Sequence, residues 1–361
     1  MVAALPAVTQ AIRTDCVIVG TGPAGLFAAF ELGLLELDCH LIDALPEPGG
    51  QCIELYGDKP IYDIPGIAVC SGRELAQRLL AQLRPLHPTM HLGQLLSALT
   101  PRGDGRFDLH TSTGQTFDAG AVLIAAGAGA FVPRKPKLDG LDRFEGSQVL
   151  YRLGDENAFA GQQVAVLGDD EVALSAALKL ANAAQRPARV TLMHRRDSFR
   201  GPAPLLAEFA AARAAGKLQF IAGQPLTITE SSSQLTGLNL ADAQGQPAHL
   251  PVDRLWVLLG LSPKLGPIAD WGLALEKRQL SVDTAQFQTS QPGVFAVGDV
   301  VTYPGKKKLI LSGFHEATLA AFGVQARLRP DDVGPLQYTT TSTRLHRILG
   351  VSPQAANGDH G

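Results

Sequence analysis

Short runs of β-branched and apolar residues, each closed by glycine and followed by apolar residues at helical spacing, recur along the chain. Asp15-Cys-Val-Ile-Val19 is the first run. The turn Gly20-Thr-Gly-Pro-Ala-Gly25 closes it, Leu26-Phe-Ala-Ala-Phe-Glu-Leu32 has the helical pattern, and Asp38-Cys-His-Leu-Ile-Asp43 is a second strand ending on an acid. The same order returns at Gln163–Gly168, Val172–Ala181 and Arg189–His194. Two further buried strands are expected at Ala121–Gly127 and Gln291–Asp299. A repeated strand–helix–strand unit predicts an α/β chain of two Rossmann-like three-layer dinucleotide-binding domains, the second inserted in the first. The expected bounds are 1–130 and 261–361 for the outer domain and 131–260 for the insert, with Arg134-Lys-Pro-Lys137 as linker.

The chemistry of the first turn follows from its spacing. Gly20 permits the tight turn, Gly22 lets a pyrophosphate approach the backbone, and Gly25 lets helix and strand pack closely. Pro23 and Ala24 open the helix, whose free N–H groups and partial positive charge suit phosphate. Asp43, 18 residues past Gly25, is placed to accept hydrogen bonds from ribose hydroxyls. This turn alone does not choose between FAD and NAD.

The second unit differs at both ends. Its second strand ends on His194-Arg195-Arg196, with Arg200 four residues on, and guanidinium groups there suit a 2′-phosphate. Its glycine turn keeps Gly168 but continues Asp169-Asp170-Glu171. Carboxylates at a helix N-terminus stabilise it and also compete with phosphate for it, so this loop is expected to weaken NADPH binding. Asp tolerates left-handed backbone, so the turn itself is expected to persist.

Composition narrows the classes. The 361 residues, 45% apolar with 38 glycines, suffice for two cores joined by many tight turns. A formal net charge of -3 without a basic run argues against nucleic acid as a partner. The N-terminus lacks the charge and apolar pattern of a secretory signal, and no apolar stretch is long enough for a membrane span, so a soluble cytoplasmic protein is expected. None of the nine histidines sits with cysteines or carboxylates at metal-ligand spacing. The four cysteines, Cys16, Cys39, Cys52 and Cys70, include no Cys-x-x-Cys pair. Cys52 is followed, five residues on, by Gly57 rather than by a second thiol, so no dithiol is placed to relay electrons.

Several stretches carry a resemblance: Pro48-Gly-Gly-Gln-Cys-Ile-Glu-Leu-Tyr56, Ile61-Tyr-Asp-Ile-Pro-Gly66, Val297-Gly-Asp299, His194-Arg-Arg196 with Arg200, and Tyr303-Pro-Gly-Lys-Lys-Lys-Leu-Ile-Leu-Ser-Gly-Phe-His-Glu-Ala317. From about Thr14 to about Gly350 the chain resembles the thioredoxin-reductase-like ferredoxin–NADP reductases of bacteria. The resemblance implies FAD in the outer domain and NADPH in the insert. By it Asp299 binds the ribityl chain and Tyr56 stacks on the isoalloxazine, although Tyr56 also suits a core or turn position. Gln51 and Asp63 are implied flavin contacts or, equally, turn residues; Gly127 and Ser312 complete the set. The helix starting near Ser312-Gly313 would point its N-terminus at the flavin, with His315 and Glu316 in its first turn. The tail Leu336–His346 would cover one flavin face, with Thr340 a candidate contact.

The implied activity is hydride transfer from NADPH to FAD, then release of single electrons to ferredoxin or flavodoxin, in a homodimer. Ferredoxins are usually acidic, so Arg134-Lys135-x-Lys137, Lys306–Lys308 and Arg344-x-His346-Arg347 are candidate docking residues. The alternatives are an FAD protein reduced by another donor because of the 169–171 loop, an FAD redox sensor, and a quinone or oxygen reductase.

Overall fold

The computed structural model describes residues 10–152, 155–332 and 336–351. The chain divides into two compact units: one holds the residues up to Ala130 together with those from Pro263 onward, the other Phe131–Ser262.

The outer unit is built on a seven-stranded sheet. Its strands are β1 (Ile12–Val19), β2 (Cys39–Ile42), β3 (Thr89–His91), β4 (Leu96–Pro101), β5 (Phe107–Thr111) and β6 (Thr116–Ile124), in the order β3-β2-β1-β6-β5-β4. Strand β6 has two neighbours on one side. Its first half pairs antiparallel with β5, while Val122–Ile124 pair parallel with the late strand Val294–Ala296. Alternation along β1 explains why the sheet is buried on both faces. Cys16 and Ile18 enter one apolar cluster with Leu26, Ala29 and Ala317, whereas Val17 and Val19 enter another with Phe107, Phe117 and Leu273.

Helix α1 (Pro23–Leu34) follows the first glycine turn, with proline at its first position, where the missing N–H costs nothing. It packs on the sheet beside helix α2 (Gly72–Leu83), which is closed by a capping box between Ser71 and Glu74. The reversal of strand order between β1 and β6 lies at the C-terminal ends of these strands, where open α/β sheets take ligands.

The inserted unit repeats the plan. Its sheet contains β7 (Val149–Leu150), β8 (Gln163–Leu167), β9 (Arg189–His194), β10 (Gln219–Ser231), β11 (Gln234–Asp242), β12 (Pro247–Pro251) and β13 (Arg254–Val257), in the order β7-β13-β8-β9-β10-β11-β12. The run β7-β13-β8-β9-β10 is parallel, and β11 and β12 continue as an antiparallel meander. Helices α3 (Glu171–Asn182) and α4 (Ala203–Ala214) follow β8 and β9. In the outer unit, helix α5 (Ile310–Leu328) packs against α1, and the short helix α6 (Thr343–Ile348) ends the described chain. No helix among the described residues is long and apolar enough to cross a membrane.

Candidate functional site

The first glycine turn is held by contacts that only glycine permits. A Cβ on Gly25 would lie 2.0 Å from the Gly20 carbonyl oxygen, and one on Gly20, at φ +111°, would lie 2.4 Å from the Ala125 oxygen. Gly22 is different. Its backbone is ordinary (φ −68°, ψ 177°), and a Cβ there would come no closer than 4.0 Å, to the Gly50 Cα. Neither internal packing nor backbone conformation requires glycine at that position. The open space in front of it, at the first N–H groups of α1, fits a pyrophosphate approaching the backbone. Asp43 is oriented across this turn. One carboxylate oxygen accepts from the Thr21 N–H at 2.6 Å and the Thr21 hydroxyl at 2.7 Å, and the other accepts from the Leu45 N–H at 2.9 Å.

Around the start of α1 the structure gathers residues from distant segments. Gly50, at φ +56°, backs onto Gly22: a Cβ on it would sit 2.8 Å from the Gly22 Cα. Gln51 lays its side chain over Gly127, where a Cβ would meet the amide nitrogen at 2.5 Å. Gly298 and Gly313 both face the Ala24 methyl. Ser312, beside Gly313, is half-buried in the first turn of α5. Asp299 is half-buried, and its carboxylate has no hydrogen-bond or ion-pair partner among the described residues. A half-exposed carboxylate that no donor among the described residues occupies can accept from a ligand rich in hydroxyl groups. The Tyr56 hydroxyl lies 3.6 Å from the Cys52 sulfur. Burial first, then Cys52, Asp299 and Asp63, push its phenol well up. Tyr56 is therefore neutral and within electrostatic reach of both carboxylates; Asp63 itself is exposed.

One buried charge stands apart from the expected site residues. Glu316, expected as a helix-start residue, is fully buried. It accepts from the Gly298 N–H at 2.6 Å and from the Tyr303 hydroxyl at 2.8 Å, and it forms an ion pair with Lys306. Burial and the Glu316 carboxylate push the Tyr303 phenol up to about 12. The Lys306 side chain is itself buried, its ammonium 5.6 Å from the Tyr303 ring centre, which removes that charge from the expected docking patch; Lys307 and Lys308 remain exposed. The signal available in the sequence was a glutamate amid small apolar residues in Gly313–Ala321.

In the inserted unit Gly168 is required by packing, since a Cβ would lie 2.4 Å from the Leu258 oxygen. Neither Asp169 nor Asp170 adopts a left-handed backbone, so the turn persists without the conformation expected of them. Asp170 is the N-cap of α3, accepting from the Val172 and Ala173 N–H groups at 3.1 and 3.2 Å. Asp169 forms a two-pronged pair with Arg200, at 3.1 and 2.8 Å, and lies 3.8 Å from His194 Nε2. The Arg200 guanidinium holds the Asp169 carboxyl below its usual range. Arg195 and Arg196 are exposed, and neither guanidinium has a partner among the described residues.

The C-terminal end of α5 and the tail are both tied to α1. Arg344 in α6 pairs with the Glu36 carboxylate at 3.0 Å, and Arg329 donates to the Leu35 and Glu36 carbonyl oxygens. Both anchor at the C-terminal end of α1, about 18 Å along that helix from the glycine turn. Thr340 lies exposed in the turn before α6, held with its neighbours by bonds such as Thr341 N–H to Tyr338 and His346 to Thr339. Within one chain the described tail is fastened through Arg344 to the C-terminal end of α1. No group of three or more His, Cys, Asp or Glu residues that could hold a metal occurs among the described residues.

Residues 14–321 match the family described as pyridine nucleotide-disulphide oxidoreductase. A ferredoxin–NADP reductase of Verminephrobacter eiseniae (strain EF01-2) is 54% identical over 95% of this chain and 98% of its own. A ferredoxin–NADP reductase 2 of Cupriavidus taiwanensis is 50% identical over 96% of this chain and 93% of its own. Among solved structures, the thioredoxin reductase of Lactococcus lactis superposes with a TM-score of 0.59 at 24% identity, over 87% of this chain and 99% of that one. The bacillithiol disulfide reductase of Staphylococcus aureus gives 0.62 at 16% identity, over 88% and 99%. These two structures share the fold.

Proposed function

The chain belongs to the pyridine nucleotide-disulphide oxidoreductase family, and on that premise we propose that it is an FAD-dependent ferredoxin–NADP reductase. In this reading it takes a hydride from NADPH and passes single electrons to ferredoxin or flavodoxin. The observation that carries it is the pairing of an acid-terminated glycine turn in one unit with an arginine-terminated turn in the other, in a chain with no cysteine after Cys70. The four cysteines are all buried and free, so no dithiol stands between cofactor and acceptor.

FAD, when bound, supplies a two-electron acceptor able to release electrons one at a time. The turn Gly20–Gly25 would receive its pyrophosphate, Asp43, already held by Thr21 and Leu45, would accept from the ribose hydroxyls with its remaining capacity, and Asp299 would offer its carboxylate to ribityl hydroxyls. Tyr56, neutral and half-buried, provides an aromatic surface for one ring face. Gln51, Asp63, Gly127 and Ser312 complete the lining. Glu316 fixes the Gly298 N–H and so the approach of Asp299. In the inserted unit Arg195 and Arg196 meet the 2′-phosphate of NADPH, with charge and a planar fork that suit it. Lys307 and Lys308, exposed, offer positive charge to an acidic protein acceptor. Homodimerisation and a cytoplasmic setting belong to the same proposal.

The test is anaerobic mixing with NADPH and then NADH, following the visible flavin band, and afterwards adding oxidised ferredoxin. Fast bleaching by NADPH, slower bleaching by NADH and reoxidation by ferredoxin are expected. Flavin that neither nucleotide bleaches would refute the NADPH step. It would favour the second reading, a flavoprotein reduced by another donor, to which the Asp169–Arg200 pair lends specific support.

A further inference from the structure

The two glycine turns make the same connection with opposite polarity. In the outer unit Thr21, the residue after the first glycine, donates to Asp43 at the end of the second strand. In the inserted unit Asp169, again the residue after the first glycine, pairs with Arg200 beyond the end of the second strand, with His194 Nε2 3.8 Å away. The acid has moved from the strand end to the glycine turn. At the strand end the basic cluster of His194, Arg195, Arg196 and Arg200 therefore carries its own anion.

The geometry of that anion is that of a phosphate stand-in. Two carboxylate oxygens meet two guanidinium nitrogens of Arg200, the paired arrangement by which arginine also holds phosphate. A backbone bond of 2.8 Å from the Arg200 N–H to the Asp169 oxygen draws the two segments together as well. Arg195 and Arg196 have no such partner among the described residues, so they are open to an incoming ligand while Arg200 is engaged.

We propose that Asp169 is a specificity-determining residue that withholds Arg200 from the 2′-phosphate, so that discrimination against nucleotides lacking this phosphate rests on Arg195 and Arg196. The inference rests on the pyridine-nucleotide reading above and deepens it. A nucleotide without the 2′-phosphate binds with the Asp169–Arg200 pair intact. One with it either leaves Arg200 unused or must break the pair, and the discrimination is correspondingly low.

The experiment uses the full-length flavoprotein and two probes, adenosine 2′,5′-bisphosphate and 5′-AMP, measured by titration calorimetry. The proteins are the parent, Asp169→Asn, Arg200→Gln and the double variant. Asp169→Asn is expected to raise the preference for the bisphosphate over 5′-AMP by about tenfold, as one more charge-assisted contact should. Removing a carboxylate near the turn also strengthens both probes through space, the more highly charged bisphosphate the more, so the informative quantity is the part of the gain that depends on Arg200. That part should vanish when Arg200→Gln is added, because the double-mutant cycle isolates the coupling. A ratio unchanged within about twofold in Asp169→Asn, or a gain that survives in full in the double variant, would overturn the proposal. Failure of both probes to bind the parent and Asp169→Asn would instead overturn the pyridine-nucleotide reading, and this inference with it; binding of the bisphosphate alone to the parent would overturn this inference only.

Discussion

Lys306 and Glu316 form an ion pair sealed from solvent, the carboxylate wholly buried and the lysine 6% exposed. The pair sits behind Gly298, so the carboxylate that binds the Gly298 N–H also fixes the residue preceding Asp299. Removing only the cation strands a buried negative charge. We expect Lys306→Met to cost about 3–5 kcal/mol of stability. Adding Glu316→Gln should restore part of it, because the amide oxygen still accepts from Gly298. Melting curves of the two variants check this; a single variant as stable as the double one would contradict it.

Asp43 and Asp299 separate structural from ligand-directed carboxylates. Asp43 satisfies three donors within the protein, whereas Asp299 satisfies none among the described residues. Asp43→Ala should therefore lower both apoprotein stability and flavin affinity. Asp299→Ala should lower only affinity, by roughly 10- to 100-fold for a lost hydrogen bond to a charged group. Flavin fluorescence titration alongside thermal unfolding of the apoprotein distinguishes the two. Equal destabilisation by both substitutions would count against the assignment.

The glycines of the first turn divide in the same way. Gly25→Ala drives a methyl group into the Gly20 carbonyl and is expected to damage folding. Gly22→Ala meets nothing closer than 4.0 Å and keeps an ordinary backbone, so the apoprotein should melt within about 1 °C of the parent while flavin retention falls sharply. Gel filtration with absorbance at the flavin band reads the loss. Full retention in Gly22→Ala would show that nothing approaches the backbone there.

A pair of histidines gives the outer unit a pH dependence. His40 Nδ1 and His91 Nε2 are 2.9 Å apart, both against Phe117. Burial lowers the pKa of each below the ordinary 6.5. Asp38 opposes this at His40; at His91 the neighbouring His40 adds to it and Gln115 opposes. The folded state thus binds protons less readily than the unfolded one. This contribution is present in full above 6.5 and is lost as pH falls through the depressed folded values. We expect the melting temperature to fall on acidification below 6.5, and more shallowly in His91→Gln. Parallel curves for parent and variant would dismiss the pair as the source.

The parts legible in the sequence were those whose reason is local. Gly20, Gly22, Gly25 and Asp43 announce themselves because a strand, a turn, a helix and a second strand must follow one another at fixed spacing. The strand 189–194 was read with its observed ends for the same reason. What could not be read depends on contacts between remote positions. The acids at 169 and 170 read as intrusions until Arg200 and the N–H groups of α3 supplied their partners. Lys306 resembled its two solvated neighbours because its partner Glu316 lies ten residues on, and nothing in the lysine run itself points to it. The tail residue Arg344 found Glu36, 308 residues earlier, which no periodicity indicates.

The interrupted course of the outer unit has a consequence for how the chain acquires its structure during synthesis. Strand β6 ends at Ile124, but its parallel partner Val294–Ala296 and the helix that packs on α1 emerge only after the whole inserted unit. The insert is contiguous and can close its sheet while the segment before it still lacks a strand and a helix. Domains generally fold as units, and contacts of long sequence separation form late. Completion of the flavin-side core therefore waits for the last hundred residues, making the first 130 residues the segment with most need of protection on the ribosome.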